Sequence, residues 1–364
     1  MKNLPLVSIL IPTYNQPEYF KQALESALNQ DYPNIEIIVS DDSTDDRVAK
    51  VASEYKDKIQ FFRHGDTYND ENSNERAELN IRNLLEHANG EFVNILFHDD
   101  LIYPQKISKM MDFFDDKWNN QIAIVTSLRD VIDGDGNITS RSDLLSELNI
   151  YVNDKVVTMP GEAVGRLLMM MCGNFIGEFS TVLMRRKDFF KKCINKFSTG
   201  YCFGIRDRSM GDISIYLEAC GDGRGLAFIR EPLSAFRLAG GNQNTYSGRN
   251  RINIVIDWLA IATGLYLRNV YIHDRDEFSV ACKYWNYISG SILDFFQKFP
   301  ETTVDVNSEL LDQMIQTAEF FEKREFDKIL GTGIDWIQKY SSDTFDVNKF
   351  AVKNSEGLWI RRGD

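Results

Sequence analysis

The sequence predicts an α/β fold, in which a sheet is flanked by helices, followed by an all-α C-terminal region. Over the first hundred residues, apolar runs of strand length alternate four times with amphipathic helical patterns. Such alternation over short turns is typical of parallel strands joined by helical crossovers. From about residue 247 the sequence changes to long helical segments, with Trp258, Trp285 and Trp336 as expected packing anchors. We therefore expect two regions of different architecture in this 364-residue chain.

The first hundred residues give a regular series of elements. Apolar, β-branched runs predict strands, and apolar residues spaced every three or four positions predict helices. In order, we predict strand 7–11, helix 18–30, strand 35–40, helix 47–55, strand 59–63, a helix at 77–88 after the polar loop 65–74, and strand 92–97. This series is typical of a nucleotide-binding α/β half-domain.

The last of these strands ends at two adjacent carboxylates, Asp99 and Asp100, with no cation close by in the sequence. In an open α/β sheet, ligands bind at the carboxyl ends of the strands. Two carboxylates placed there repel each other unless a cation lies between them, and a divalent metal ion is the usual partner. The sequence therefore indicates a metal site at this end of the sheet.

The remaining elements follow a less regular pattern. In order, we predict a helix after Pro104, strand 122–127, helix core 167–172, strand 181–184, helix 187–197, strands 225–231 and 233–238 separated by Pro232, and helices 251–270, 277–299, 308–326 and 326–340. Residues 140–165 give no clear pattern. Asp133 to Asn137 predicts a hairpin turn, with a calcium loop as the alternative; the segment lacks the glutamate and spacing of an EF-hand.

Composition excludes several classes of protein. The net charge of −13 argues against non-specific nucleic-acid binding, which needs clustered cations. The five cysteines show no metal spacing and no disulfide framework, which favours a reducing compartment. The start of the chain does not resemble a signal peptide, and the apolar window Ile252 to Leu267 is too short to span a bilayer. We expect a soluble cytoplasmic protein without a transmembrane segment, with peripheral attachment to the inner face of a membrane as the alternative.

Three motifs carry a resemblance to a known family. They are Val7 to Asn15 (VSILIPTYN), Ala27 to Asp45 (ALNQDYPNIEIIVSDDSTD), and Asn89 to Phe92 leading into His98-Asp99-Asp100. Together they resemble bacterial family 2 glycosyltransferases of the GT-A fold, closely over about 110 residues and more weakly to about Asn244. The resemblance implies a GT-A mixed sheet, with a nucleotide-sugar-binding half at 1–105, an acceptor-binding half at 106–246 and a helical region at 247–364.

The resemblance also implies roles for single residues in binding the donor. Asp100 is expected to bind the metal ion, Mn²⁺ or Mg²⁺, with Asp99 beside it on the sugar or ribose. Asp42 is expected to read uracil or thymine, with Asp41 as its neighbour. The other implied contacts are Tyr14 against the base, Pro12 and Thr13 lining the cleft, and Arg76 on a phosphate or the base or, alternatively, solvated on its helix. The family commonly has an aspartate where this chain has Phe97.

On the acceptor side, Asp212 at a helix start is the expected general base, with Asp207 as its rival. Gly211 replaces the usual glutamate of that motif. Arg237 is expected to pair with the diphosphate, and Ala239 stands where the family often has a metal-binding histidine. The acceptor cleft is expected near Asn174, Gly177 and Glu178.

We therefore expect an inverting glycosyltransferase that moves a hexose or N-acetylhexosamine from a nucleotide-sugar, with UDP favoured, to a hydroxyl of a glycan, lipid-linked or glycoprotein acceptor. A nucleotidyltransferase is disfavoured, because Pro12 to Pro17 is neither glycine-rich nor basic. A degenerate, non-catalytic scaffold subunit is the alternative, given Phe97, Gly211 and Ala239. The helical region is expected to form a homo-oligomer or to dock an acceptor carrier. The acceptor stays open between a bacterial surface polysaccharide, a teichoic acid and a glycoprotein glycan.

Overall fold

The computed structural model describes residues 4–64, 73–118, 120–143, 154–170, 174–193, 201–202, 205–206, 210–238, 248–299, 307–341 and 345–363. The chain divides into two compact units. The sheet unit comprises Met1–Val164, Asn174–Thr199 and Ala219–Gly240, and the helical unit comprises Gly165–Gly173, Gly200–Glu218 and Gly241–Asp364.

Strands and helices are numbered here in chain order. The strands are β1 Val7–Thr13, β2 Ile35–Asp41, β3 Gln60–Arg63, β4 Phe92–Ile95, β5 Leu101–Ile102, β6 Ile122–Ile132, β7 Ile138–Ser142, β8 Val156–Met159, β9 Leu183–Arg185, β10 Tyr201–Cys202, β11 Ile205–Arg206, β12 Gly225–Arg237, β13 Ala351–Lys353 and β14 Trp359–Arg361. The helices are α1 Pro17–Leu28, α2 Arg47–Ser53, α3 Ser73–His87, α4 Lys106–Met111, α5 Gly161–Met170, α6 Arg186–Cys193, α7 Gly211–Cys220, α8 Gly248–Leu267, α9 Arg275–Lys298, α10 Ser308–Glu322 and α11 Phe326–Ser341. A 3-10 turn at Phe179–Thr181 precedes β9.

Within the described residues, the sheet unit holds one ten-stranded mixed sheet. Its strand order is β3-β2-β1-β4-β9-β6-β12-β5, with β7 beside β6 and β8 beside β12. β1 pairs in parallel with β2 and β4, and β2 with β3, as the alternation of strands and helices predicts. β9 runs antiparallel to β4 and β6. The predicted α/β class and its mixed sheet are confirmed, and both halves of the predicted division at residue 105 contribute strands to it.

The centre of the sheet is held by apolar packing against α1. All seven residues of β1 are buried. Its apolar side chains share one hydrophobic core with Phe20, Ala23, Leu24 and Ala27 of α1, the helical spacing that the sequence predicts. A strand buried along its whole length lies inside the sheet, where its position is fixed by neighbours on both sides. This rigid centre positions the loops that follow β1, β2 and β4.

The opposite end of the same strands is fixed by one carboxylate. Glu36 accepts hydrogen bonds from the Ser8 hydroxyl (2.6 Å) and from the backbone amides of Asn89 (2.7 Å) and Gly90 (2.9 Å). Gly90 has to be glycine here, because a Cβ at this position would lie 2.4 Å from Ser8 Oγ. Glu36 thus ties β2 to β1 and to the turn that starts β4.

Several predicted strand boundaries were wrong. β4 ends at Ile95 instead of residue 97, because the chain turns there, with the Asp100 amide bonded to the Phe97 carbonyl (3.0 Å). β6 runs five residues past the predicted end, to Ile132. The predicted turn after it is confirmed, since Asp133 caps the amides of Asp135 and Asn137 between β6 and β7.

The prediction of two strands around Pro232 was also wrong. β12 is one strand of thirteen residues. Proline lacks the amide hydrogen that a sheet ladder uses, and β12 accommodates it by shifting its register against β6 on both sides of Pro232. The strand therefore carries on, irregular but unbroken, to Arg237.

The helical unit confirms the predicted helical C-terminal region, with helices α8 to α11. Trp258, Trp285 and Trp336 are all buried, as expected of packing anchors. The indole of Trp285 donates to the Val255 carbonyl (3.0 Å). The unit also contains two-stranded sheets, β10–β11 and β13–β14, that the sequence analysis did not predict, so it is not all-α. Among the helices described, none is both long enough and apolar enough to cross a membrane.

Candidate active site

The candidate site lies in the sheet unit, at the carboxyl ends of three parallel strands. Thr13, the last residue of β1, is in register with Asp41, the last residue of β2, and the Asp42 amide donates to the Thr13 carbonyl (3.1 Å). β4 pairs with the other side of β1 and ends just before Asp99 and Asp100. The topology therefore brings both predicted pairs of carboxylates to one edge of the sheet, where open α/β sheets bind ligands.

Buried oxygen atoms without partners mark the ends of β1 and β2. Thr13 and Asp42 are buried, and so is Asp41, whose pKa is raised by burial. Thr13 Oγ1, Asp41 Oδ2 and Asp42 Oδ1 make no hydrogen bond to any residue that the structure describes. Arg63 Nε lies 3.7 Å from Asp41 Oδ2 as a loose ion pair. Buried polar atoms are normally hydrogen-bonded, so these three oxygens are suited to meet the polar groups of a ligand.

Arg76 on α3 fixes the orientation of Asp42. Its Nε donates to Asp42 Oδ2 (3.0 Å), and its Nη2 to the Asp42 carbonyl (3.2 Å). The same guanidinium lies 5.1 Å from the centre of the Tyr14 ring. Tyr14 is 42% exposed. Arg76 is therefore paired with the Asp42 carboxylate, with the Tyr14 ring beside it, and is not simply solvated on its helix. Its contact with a phosphate or the base stays a prediction.

Asp99 and Asp100 lie in the turn between β4 and β5, which runs from Phe97 to Asp100 and which we call the carboxylate turn. Asp100 is buried, and burial together with the neighbouring Asp99 raises the pKa of its carboxyl to about 7. Its Oδ1 accepts from the backbone amide of Arg237 (3.1 Å), and its own amide donates to the Phe97 carbonyl (3.0 Å). Asp99 is half-buried. The turn thus presents one oriented, buried carboxyl and one accessible carboxylate.

The Arg237 side chain is placed differently from the prediction that it pairs with a diphosphate. Arg237 is 1% exposed, and its guanidinium donates hydrogen bonds to oxygen atoms of the protein. These oxygens are the carbonyls of Asp99 (2.8 Å), Asp133 (3.0 Å) and Gly134 (3.1 Å) and the Gln22 side chain (2.7 Å). Arg237 therefore holds the carboxylate turn against the β6–β7 turn, and this placement does not support the predicted phosphate contact.

Sequence reasoning missed Lys106, the first residue of α4. It is fully buried, and its ammonium donates to the Ser180 carbonyl (2.7 Å). Burial lowers the pKa of Lys106 to about 7, and attraction to Asp100 opposes that shift. A lysine in an amphipathic helix is normally expected to be exposed. The sequence therefore gave no sign that Lys106 is buried. Its buried ammonium is close enough to the carboxylate turn for its charge to be attracted to Asp100.

The residues present fit a divalent cation held with help from a ligand. Within the described ranges, no group of three acidic, histidine or cysteine side chains is arranged to hold a metal ion. Mg²⁺ and similar ions are commonly bound by one or two carboxylates together with substrate phosphates and water. Asp100, raised in pKa by burial and oriented by neighbouring donors, and Asp99 beside it match that donor set.

The other predicted residues are partly accounted for. Pro12 is buried at the end of β1, and its carbonyl lies 3.2 Å from His98 Nδ1. Asp212 lies in the first turn of α7, where its Oδ1 accepts from the Ile213 amide (2.8 Å). Ile213, Tyr216, Leu217 and Cys220 of this helix are buried. Asp207 and Ala239 lie outside the described residues.

The segment predicted to line the acceptor cleft is ordered by its own contacts. Asn174 bonds to the backbone of Gly177, which has a φ of +97°. Glu178 pairs with Arg129 of β6, and Arg129 also attracts the Asp100 carboxylate. This segment therefore lies near the carboxylate turn within the sheet unit. Whether it receives an acceptor stays a prediction.

Comparison with known proteins gives one family and one fold. A family model described as glycosyl transferase family 2 matches residues 8–213. An uncharacterized glycosyltransferase of Rickettsia typhi is 40% identical over 129 residues, which is 35% of this chain and 38% of that protein. The GalNAc(5)-diNAcBac-PP-undecaprenol beta-1,3-glucosyltransferase of Campylobacter jejuni is 32% identical over 111 residues, 30% of this chain and 34% of that protein.

The matched stretch is thus well under half of each of these relatives. Among solved structures, S. aureus TarS 1–349 in complex with UDP superposes with a TM-score of 0.55 at 14% identity. This match covers 98% of this chain and 96% of that one. At such low identity the likeness shows the fold alone, and it extends over both units of the chain.

Proposed function

The chain belongs to glycosyl transferase family 2, and we propose that it moves a hexose or N-acetylhexosamine from a UDP-sugar to an acceptor hydroxyl, with inversion at the anomeric carbon. The observation that carries this proposal is the group of buried oxygens of Thr13, Asp41 and Asp42 that make no hydrogen bond to the described residues, at the ends of β1 and β2. They are buried, they lie at the ligand-binding edge of the sheet, and they suit the edge of a nucleotide base.

A uracil base matches these groups. Its N3–H is a donor, which Asp42 Oδ1 is placed to accept, and its carbonyls are acceptors for the Thr13 hydroxyl. Cytosine has an acceptor at N3, so it would meet a carboxylate with no hydrogen between them. Arg76 holds the other oxygen of Asp42, which leaves Oδ1 for the base, and the exposed Tyr14 ring provides an aromatic surface. The S. aureus TarS structure of the same fold contains UDP, which supports the choice of this nucleotide.

The diphosphate belongs at the carboxylate turn. Asp100, with Asp99 beside it, would hold Mn²⁺ or Mg²⁺ together with the diphosphate, and the bound ion would supply Lewis-acid stabilisation of the leaving group. Arg237 supports this turn from the protein interior, because its guanidinium donates to the Asp99 carbonyl and its backbone amide donates to the Asp100 carboxyl. We therefore assign Arg237 to positioning the turn and not to contacting phosphate.

On the acceptor side, Asp212 is the proposed general base. It would take the proton from the acceptor hydroxyl as the oxygen attacks the anomeric carbon in line with the departing diphosphate. The C. jejuni relative is named for glucosyl transfer to a lipid-linked oligosaccharide, which supports a glycan acceptor in the synthesis of a bacterial surface glycan. The helical region is proposed to serve oligomerisation or acceptor docking.

Nucleotide choice tests this proposal directly. Calorimetric titration of the full chain with UDP and with CDP, in the presence of Mn²⁺, should show that UDP binds at least about tenfold tighter. One hydrogen bond to a charged group is worth about 1.5–3 kcal/mol, and tenfold corresponds to about 1.4 kcal/mol. Equal affinities would contradict the assignment of Asp42, and no binding of either nucleotide would contradict the donor site.

A further inference from the structure

Lys106 is a buried cation that the proposed reaction does not use. Its side chain has no exposed surface, although it is the first residue of a short helix. Lys109, one turn further along α4, is only half-buried and pairs with Glu231 at 2.5 Å. Lysine is almost never fully buried without a partner, because removing its charge from water is costly. The position of Lys106 therefore needs a physical reason.

The contacts of Lys106 lead to the carboxylate turn through one residue. Its ammonium donates to the Ser180 carbonyl (2.7 Å). The Ser180 hydroxyl accepts from the Phe97 amide (3.1 Å), and the Phe97 carbonyl accepts from the Asp100 amide (3.0 Å). Ser180 and Asp100 are both buried, like Lys106. A chain of hydrogen bonds thus connects the lysine to the turn that carries the proposed metal ligand.

A second buried side chain supports the same segment. Asn94 of β4 donates from Nδ2 to the Val182 carbonyl (2.7 Å) and is 3.4 Å from the carbonyls of Phe179 and Ser180. Asn94 has no exposed surface. The segment Phe179–Val182 is therefore held from two sides, by β4 and by α4. Such polar networks, when satisfied, fix one conformation of the groups they contain.

We propose that Lys106 is a positioning residue for Asp100. It fixes the backbone of Ser180, so that the Ser180 hydroxyl holds the turn from Phe97 to Asp100 in the conformation that presents the Asp100 carboxylate to a divalent cation. The proposal rests on the metal site of the proposed function. Residues that orient a metal ligand commonly change metal affinity by about 10- to 100-fold when they are altered. Their effect is expected to be large here, because only Asp99 and Asp100 are available among the described acidic residues at this turn.

A positioning role and a purely structural role of Lys106 predict different results. Removing a residue that positions Asp100 should weaken UDP binding in the presence of metal and leave binding without metal unchanged. A lysine that only stabilised the fold would not affect how strongly UDP binding depends on metal.

The test compares UDP binding by calorimetry with Mn²⁺ and with EDTA, in full-length Lys106→Met, Ser180→Ala and the double variant. Lys109→Met is the matched control, because Lys109 lies in the same helix but is only half-buried and pairs with Glu231. We expect each single variant to weaken UDP binding in the presence of Mn²⁺ by about 10- to 100-fold. Its UDP affinity in EDTA should be unchanged. Lys109→Met should bind UDP as wild type does under both conditions. Because both residues act through one hydroxyl, the double variant should match the weaker single variant.

The outcomes separate this proposal from the proposed function. Ser180→Ala keeps the lysine and its backbone contact, so it tests the relay even if Lys106→Met fails to fold. Wild-type affinity in Ser180→Ala would overturn the proposal, and so would equal losses with Mn²⁺ and with EDTA. A wild-type protein that does not bind UDP under either condition would instead overturn the donor site, and this inference with it.

Discussion

Replacing Asp42 with asparagine should change which nucleotide the protein prefers. Asp42 Oδ2 accepts from Arg76 at 3.0 Å, and its Oδ1 has no partner among the described residues. The carboxamide of Asn has nearly the same shape but carries one acceptor and one donor. If its oxygen keeps the bond to Arg76, its NH₂ group faces the ligand. The group that meets the base then changes from acceptor to donor.

The size of the effect follows from one hydrogen bond. For UDP, the N3–H would meet another donor in a buried site, and leaving a buried donor unsatisfied costs about 1–3 kcal/mol. This corresponds to a loss of roughly 5- to 150-fold in affinity. For CDP, the acceptor at N3 would gain a partner, so CDP binding should be unchanged or tighter. The ratio of the two affinities is therefore expected to fall by at least about tenfold.

Calorimetry with both nucleotides measures this ratio. Asp45→Asn is the matched control, because Asp45 lies on the same loop after β2 but is exposed and bonded to Arg47. It should leave both affinities unchanged. If Asp42→Asn lowers UDP and CDP affinity by the same factor, Asp42 does not read the base. If it changes neither, the base does not contact Asp42 at all.

Three further predictions concern single residues. Arg237→Met should lower the free energy of unfolding by about 3–5 kcal/mol in urea titrations, since each lost hydrogen bond from a charged donor is worth about 1.5–3 kcal/mol. The exposed control Arg47→Met should change the free energy of unfolding by no more than about 0.5 kcal/mol. A similar loss in both variants would refute the role of Arg237. Hydrogen bonds to Glu36 outweigh the effect of its burial and hold its pKa below the usual value. Its stabilising contribution is therefore complete above the unfolded pKa, near about 4.3, and is lost as pH falls through the lower folded pKa. The stabilities of wild type and Glu36→Gln should accordingly converge in acid, and a pH-independent difference would contradict this. Asp212→Asn should lower the rate of sugar transfer by about 10²- to 10⁴-fold with unchanged UDP affinity, and a variant as active as wild type would exclude Asp212 as the base.

The architecture of the first hundred residues could be predicted because local and global preferences agree there. Apolar runs, helical spacing and turn residues all gave the same alternation, and the structure confirms it. The boundaries were less predictable. The strand before Asp99 ends early because the chain turns between Phe97 and Asp100, and the strand at Pro232 continues because a register shift accommodates the proline. Both depend on pairing with distant strands.

The carboxylates of the site could be predicted, but their supports could not. Asp42 directly follows β2, and Asp100 lies in the turn that follows β4, so their place at one sheet edge follows from the topology. From the sequence alone, the long cationic side chains of Lys106 and Arg237 are expected to lie in solvent or to bind a phosphate. The structure buries both, because backbone carbonyls brought together from distant segments accept their hydrogen bonds. Such acceptors are present in every residue and leave no signal in the sequence.

Asp100 is proposed to make nucleotide binding depend on metal. Calorimetric binding of UDP, with and without Mn²⁺, to wild type, Asp100→Ala and the exposed control Asp112→Ala measures this dependence. Mn²⁺ should strengthen UDP binding at least about tenfold in wild type and the control, and not in Asp100→Ala. Equal affinity with and without Mn²⁺ in wild type, or the same enhancement in Asp100→Ala, would refute this role of Asp100.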